Sequence, residues 1–209
     1  MDTSKNNQFT RADIQIVSQE RLLSSYLVVE KLNVKFKLFA GGWSNTFTRE
    51  RMLRQNAAAV LLYHMASDQV VLVEQVRMGV LELSDSSPWI IEPVAGIIDE
   101  GYTAEETAYK EAIEEAGCTI TKLIPVGTYI VSPGISTELT TVFCGLIDQL
   151  PEQYANHGIQ SEGEDIRLQV MPSKKAFNLL KPGNPMSASA TILLQWLQLN
   201  REQLLAKEA

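Results

Sequence analysis

The chain has 209 residues, 45% of them apolar and 21% charged, enough to bury the core of one compact domain with a small appendage. Its net charge of −7 repels a phosphate backbone, so nucleic acid is not expected as the main partner, though a small anion can bind through a divalent cation. Residues 1–10 lack the apolar stretch of a secretory signal and no apolar run could span a bilayer, so a cytoplasmic protein without membrane contact is expected.

In chain order, residues 13–20 alternate loosely between apolar and polar. Residues 27–39 alternate well, with Val34, Phe36 and Leu38 against Lys35 and Lys37, and Gly41-Gly42 turn the chain before residues 43–51. These predict a small antiparallel β unit over residues 1–55. A main domain over 56–209 follows, the boundary falling near Gln55 and Asn56. Its strands are predicted at 57–63, 70–76, 89–94, 124–131, 140–147 and 166–171, with one central helix after Thr103 and a terminal helix over 188–207. The terminal helix carries an apolar stripe at Leu193, Trp196, Leu197 and Leu204. Strands interrupted by one helix and closed by another predict an α/β fold with a mixed sheet between helical layers. Cys118 and Cys144, the only cysteines, have apolar neighbours and read as buried thiols.

The central helix is the informative element. Thr103 with Glu106 three residues on forms a capping box, and Gly117 suits a left-handed C-terminal stop. Ala104, Ala108, Ala112 and Ala116 recur every four residues, a smooth stripe able to pack closely on a sheet. Glu111, Glu114 and Glu115 crowd a single face near the C-terminal end. Like charges at these spacings cost about 0.2–0.5 kcal/mol per pair, and the helix dipole adds to the cost. Stability gives no reason for them; a hard divalent cation does, because Mg²⁺ takes carboxylate oxygens while keeping waters and phosphate oxygens. Alone, such a cluster reads as a solvated face. A glycine-bearing turn before it, Gly117 after it and a strand entering through Pro93-Val94-Ala95-Gly96 argue for more.

This pattern resembles the Nudix box, G-x5-E-x7-R-E-U-x-E-E-x-G-U, with Gly96, Glu111, Ala112, Glu114, Glu115, Gly117 and Cys118 in their places. Tyr102 and Lys110 stand where the box has Glu and Arg, the pair that braces the loop against the helix. Beyond the box the chain is similar to the ADP-ribose pyrophosphatase branch. The matching segments are Glu74-Gln75-Val76-Arg77, Trp89-Ile90-Ile91-Glu92, Pro133, Glu164-Asp165-Ile166-Arg167 and Leu194-Gln195-Trp196-Leu197. Ile135 departs from the glycine more usual there.

The resemblance implies a Nudix-like α/β/α sandwich preceded by the small antiparallel unit, and Mg²⁺-dependent hydrolysis of ADP-ribose or a related nucleotide sugar to AMP and ribose 5-phosphate. It implies Mg²⁺, or Mn²⁺ in its place, on Glu111, Glu115 and the Ala95 carbonyl, with Glu114 direct or through water. The general base is expected in the loop 157–164, Glu162 first and Glu164 second, each with a solvent-exposed acidic loop as the competing reading; His157 is a third, weaker candidate that reads first as a surface histidine. Gly96 belongs with the substrate-side residues. Arg77 clamps a phosphate or forms a surface ion pair. Arg49 and Glu50 form a substrate-side pair, Tyr26 stacks on adenine or packs in the core, and Glu138 meets a ribose hydroxyl. The N-terminal unit is expected to make a homodimer with composite sites. Two rivals stay open: a Nudix enzyme for another nucleoside diphosphate derivative, and a nucleotide-binding module weakened in catalysis, to which Tyr102, Lys110 and Ile135 point.

Overall fold

A computed structural model of the chain describes residues 9–83, 87–159, 161 and 163–206. These residues fall into two compact units, one within Met1–Arg54 and Val131–Glu138, the other within Gln55–Ile130 and Leu139–Ala209. The segment Val131–Glu138, expected in the main domain, clusters with the first unit because the main chain ties it there. Met52 N–H donates to the Ile135 carbonyl at 2.6 Å and Thr137 N–H to the Met52 carbonyl at 3.1 Å.

The first unit holds a three-stranded antiparallel sheet of β1 (Ile14–Ser24), β2 (Val28–Phe36) and β3 (Phe47–Leu53), with β2 in the middle. Glu30, on β2, is only 2% exposed. Its carboxylate is paired from both neighbouring strands, by Gln19 at 2.7 Å and Arg21 at 2.9 Å from β1 and by Arg51 at 3.0 Å from β3. A buried charge is tolerable only when partnered in this way. The edge strand β1 is exposed along its whole length.

The second unit is built on an eight-stranded sheet of β4 (Ala57–His64), β5 (Gln69–Val76), β6 (Trp89–Glu92), β7 (Val94–Ile97), β8 (Ile120–Ile130), β9 (Leu139–Ile147), β10 (Asn156–His157) and β11 (Ile166–Pro172). The path runs β10-β11-β5-β4-β9-β8, with β6 on β5 and β7 on β4. The β4–β9 pairing is parallel and its neighbours antiparallel, so the sheet is mixed as expected. Successive residues of β4 point to opposite faces. Ala58, Val60 and Leu62 pack with Ala108, Ala112 and Ala116 of α1 (Ala104–Ala116). Ala59, Leu61 and Tyr63 pack with Leu193, Leu194 and Leu197 of α3 (Ala188–Ala206). Helices on both faces explain why β4 reads as a continuous apolar run.

The terminal helix buries Leu193 and Leu197 of the expected stripe, together with Ala190 and Leu194. It is latched to the β4–β5 turn by Asp68, which adopts a left-handed φ of 55°. The Asp68 carboxylate accepts from Tyr63 Oη at 2.9 Å, from Ser173 Oγ at 2.7 Å and from Arg201 Nε at 2.6 Å. Ser173 opens the short helix α2 (Ser173–Phe177), which, like β10, no sequence periodicity announces.

Residues 89–94, expected as a single strand, are two. β4 and β5 pair only near their hairpin, from Leu62↔Val71 to His64↔Gln69. Beyond it they part, and the chain fills the gap: β6 follows β5 as far as Val73↔Glu92, and β7 follows β4 from Val60↔Val94. Pro93, with no N–H to give to either ladder, sits at the step. This fork carries Glu92, Ala95 and Gly96 into the region faced by α1.

Candidate active site

Helix α1 is set by local chemistry. Thr103 Oγ1 accepts the Glu106 N–H at 3.1 Å while Glu106 Oε2 accepts the Thr103 N–H at 2.8 Å. Gly117 closes the helix at φ 61°, ψ 21°. Such a cap contributes about 1 kcal/mol. Ala108, Ala112 and Ala116 are each at most 1% exposed, so no side chain props the helix away from β4 and β7. That close approach drives the Glu115 carboxylate, 2% exposed, onto β7, where Oε2 accepts the Ala95 N–H at 2.9 Å. In extended backbone the N–H and C=O of one residue leave the same edge, so the Ala95 carbonyl also faces the Glu115 side. One helical turn earlier, Glu111 lies against Gly96: a Cβ there would overlap the Glu111 carboxylate. Glycine at 96 is therefore a steric requirement of this contact.

The carboxylates raise one another's affinity for protons. Burial first, and then the charges of Glu111 and Glu164, push the Glu115 carboxyl up to about 8, against the opposing Ala95 N–H and Arg77. Glu111 is also raised, by burial first and then by Glu114 and Glu164, with Lys110 opposing. Glu114 has a side chain 32% exposed and lies 3.4 Å from Lys110 Nζ. The site is thus a partly buried group of hard oxygen donors short of positive charge, which suits a hard divalent cation. Among the described residues, no three His, Cys, Asp or Glu side chains converge closely enough to hold an ion by themselves. The donors fit an ion that also takes a main-chain carbonyl, waters and ligand oxygens.

Arg77 makes the ion pair that was the competing reading, its Nε 2.5 Å from Glu92 Oε2. It also stands at the site, since its charge lowers the Glu115 carboxyl. Its side chain remains 43% exposed, held by Glu92 and open to a ligand. Glu164 acts on both Glu111 and Glu115 through its charge. Its loop is drawn closed at the base: Glu164 N–H donates to the Ile159 carbonyl at 3.3 Å, and Glu164 Oε2 accepts the Ile159 N–H at 3.1 Å. Gly158, at φ 102°, leaves room for this approach, because a Cβ would fall 2.8 Å from that of Glu164. Glu162, the first-choice base, lies outside the described residues. His157 is not the surface histidine expected; it is half-buried, with its ring over Gly117, where a Cβ would stand 3.0 Å from Cε1.

The remaining candidates belong to the first unit. Tyr26 is 80% exposed, which removes core packing as its role, and the Arg54 guanidinium lies over its ring at 5.2 Å. Arg54 Nε is 3.7 Å from Glu138, so Arg54 joins two candidates that the sequence left unconnected. Arg49 and Glu50, successive residues of β3 on opposite faces, are both exposed. Arg49 Nη1 donates to the Thr48 carbonyl at 2.8 Å and its guanidinium lies 5.4 Å from the Phe47 ring. Arg54, and Asp99, whose carboxylate lies 3.8 Å from Lys110 Nζ, are neighbours of the candidate residues that sequence reasoning did not single out. Neither has a local signal, since each is recognised only by what it touches.

Residues 53–192 match the NUDIX domain model. The chain is 35% identical over 196 residues to the ADP-ribose pyrophosphatase of Escherichia coli K12, covering 94% of this chain and 93% of that protein. It is 36% identical over 203 residues to the ADP-ribose pyrophosphatase of Haemophilus influenzae, covering 96% and 93%. A GDP-mannose pyrophosphatase of an Enterobacter species is 32% identical over 188 residues, covering 90% of this chain and 96% of its own. Among solved structures, an ADP compounds hydrolase superimposes with a TM-score of 0.66 at 21% identity, over 90% of this chain and 96% of the other, a likeness of fold. With its central helix, its mixed sheet and two thirds of its length matched, the chain belongs to the Nudix family.

Proposed function

We propose that this Nudix pyrophosphohydrolase cleaves the pyrophosphate bond of ADP-ribose, or of a related ADP-sugar, to AMP and ribose 5-phosphate. The observation that carries the chemistry is the seating of Glu115 on the Ala95 N–H with Glu111 against Gly96, two carboxylates gathered at one strand. The substrate class rests on the ADP-ribose pyrophosphatases that resemble the chain over nearly its whole length.

Glu111, Glu115 and the Ala95 carbonyl would hold Mg²⁺ or Mn²⁺, with Glu114 direct or through water. Such an ion supplies charge neutralisation at phosphate oxygens and a more acidic bound water. Arg77, steadied by Glu92 through Nε, binds a phosphate oxygen through its other guanidinium nitrogens. A carboxylate of the 157–164 loop takes the proton of the attacking water. We assign that role to Glu162 first and Glu164 second, the latter having one oxygen already committed to the Ile159 N–H. Tyr26, exposed and backed by Arg54, offers a face for the adenine, with Glu138 beside it for a ribose hydroxyl and Arg49 and Glu50 on the substrate side.

A second copy of the chain is the partner we assign to the N-terminal sheet. Its edge strand exposes Ile14, Ile16, Val17, Leu22 and Leu23, apolar side chains that a second copy would cover. Sedimentation at micromolar concentration should give a dimer; a fully active monomer would refute it. No described helix is long and apolar enough to cross a membrane. Two free, buried thiols accord with the cytoplasmic location we assign.

The deciding experiment is mass-resolved product analysis with ADP-ribose and Mg²⁺, expected to yield AMP and ribose 5-phosphate. A tenfold preference for GDP-mannose would overturn the adenine assignment. No turnover of any nucleotide would leave a binding module.

A further inference from the structure

Lys110 lies among three acids at the start of the site. Its Nζ lies 3.4 Å from Glu114, 3.7 Å from Glu111 and 3.8 Å from Asp99. Two of these partners are on its own helix and one is not. Asp99 is the first residue of the turn that leads from β7 into α1. That turn closes with the Tyr102 N–H donating to the Asp99 carbonyl at 3.1 Å, and Gly101 supplies the left-handed φ of 89° at its third position. Just upstream, the Ile98 N–H is fixed to the Asn56 carbonyl at 2.9 Å. Asp99 therefore stands at the junction between the strand bearing Ala95 and Gly96 and the helix bearing the glutamates. Tyr102, at the other end of the turn, is 52% exposed. Among the described residues, Asp99, Glu111 and Glu114 are the only ion-pair partners of Lys110.

We propose that Asp99 and Lys110 act as a coupled pair of positioning residues. Lys110 spans from the turn to the helix and fixes the spacing between the β7 donors and the carboxylates of Glu111 and Glu114. The inference rests on reading those carboxylates as a cation site. It goes beyond that reading in giving the site a loop-side anchor, and in making Asp99 matter only through Lys110. If Asp99 were one more negative charge near a cation, neutralising its exposed neighbour Glu100 would do the same, and the effect would not depend on Lys110.

The test is a double-mutant cycle read by calorimetric titration of substrate-free protein with Mn²⁺. The variants are Asp99→Asn, Lys110→Met, the double variant, and Glu100→Gln alone and with Lys110→Met. Asp99→Asn should weaken Mn²⁺ binding at least threefold in the parent and leave it unchanged in the Lys110→Met background. Glu100→Gln should act equally in both backgrounds, and Lys110→Arg should restore parental affinity. Thermal midpoints compared without metal confirm that every variant is folded. Additive effects of Asp99 and Lys110, or an Asp99 effect matched by Glu100, would overturn the pairing while leaving the cation site intact. A parent chain that binds no Mn²⁺ would overturn the cation site and the pairing with it.

Discussion

The Glu115 carboxylate, 2% exposed, is held by the Ala95 N–H at 2.9 Å with no cationic side chain in hydrogen-bonding reach among the described residues. Burial raises it to about 8 from a reference of 4.5, so between those values the folded chain retains a proton that the unfolded chain has released. The stability it contributes is complete below the lower value and is lost as pH rises through the upper one. Metal-free protein should therefore lose stability between pH 5 and 8, by an amount of order a few kcal/mol. Glu115→Gln should flatten that slope and abolish Mg²⁺-dependent turnover. Urea melts at several pH values in EDTA decide it: an unchanged slope in the variant would refute the assignment.

Gly96 tests the steric argument. Gly96→Ala must displace Glu111, because the added carbon falls inside its carboxylate. Misplacing a reacting group by about 1 Å costs on the order of 100-fold in rate. The expected result is a kcat lowered by about that factor in a chain whose circular dichroism is unaltered. Parental kcat would show that Glu111 has no fixed seat.

The exposed Tyr26 distinguishes binding from packing. Tyr26→Ala should raise KM for ADP-ribose by about tenfold, as loss of one stacking contact worth about 1–3 kcal/mol predicts. Its thermal midpoint should stay within a degree or two, since an 80% exposed ring contributes little to the core. A large fall in midpoint with constant KM would return Tyr26 to a structural role.

Asp68 concerns stability alone. Although burial pushes its carboxyl up, the hydrogen bonds from Arg201, Ser173 and Tyr63 outweigh it and bring the group down to about 2 from 3.8. That stability is present above the reference value and disappears as pH falls through about 2. Asp68→Ala unlatches α3 and leaves Arg201 unpaired; a cost of about 2–3 kcal/mol is expected, with Asp68→Asn milder because it keeps an acceptor and tolerates the left-handed φ. Denaturant midpoints measure both, and a neutral Asp68→Ala would rule out the latch.

What could be read from residues in order was what local physics controls. The Thr103–Glu106 box, the Gly117 stop and the four-residue alanine repeat each act within a turn or two of backbone, so α1 ran as expected from Ala104 to Ala116. The period-two strands followed for the same reason, and the charged face of α1 stood out as a candidate site because no local term favours it. What needed the folded chain was every choice between partners far apart in sequence. The split of residues 89–94 at Pro93 arises because β4 and β5 diverge, which only the sheet decides. Whether Tyr26 was core or surface, whether Arg77 would meet Glu92, and that Lys110 would reach Asp99 depended on packing between elements. Sequence spacing determines which side chains share a face; the distance between faces is set only when the tertiary core closes.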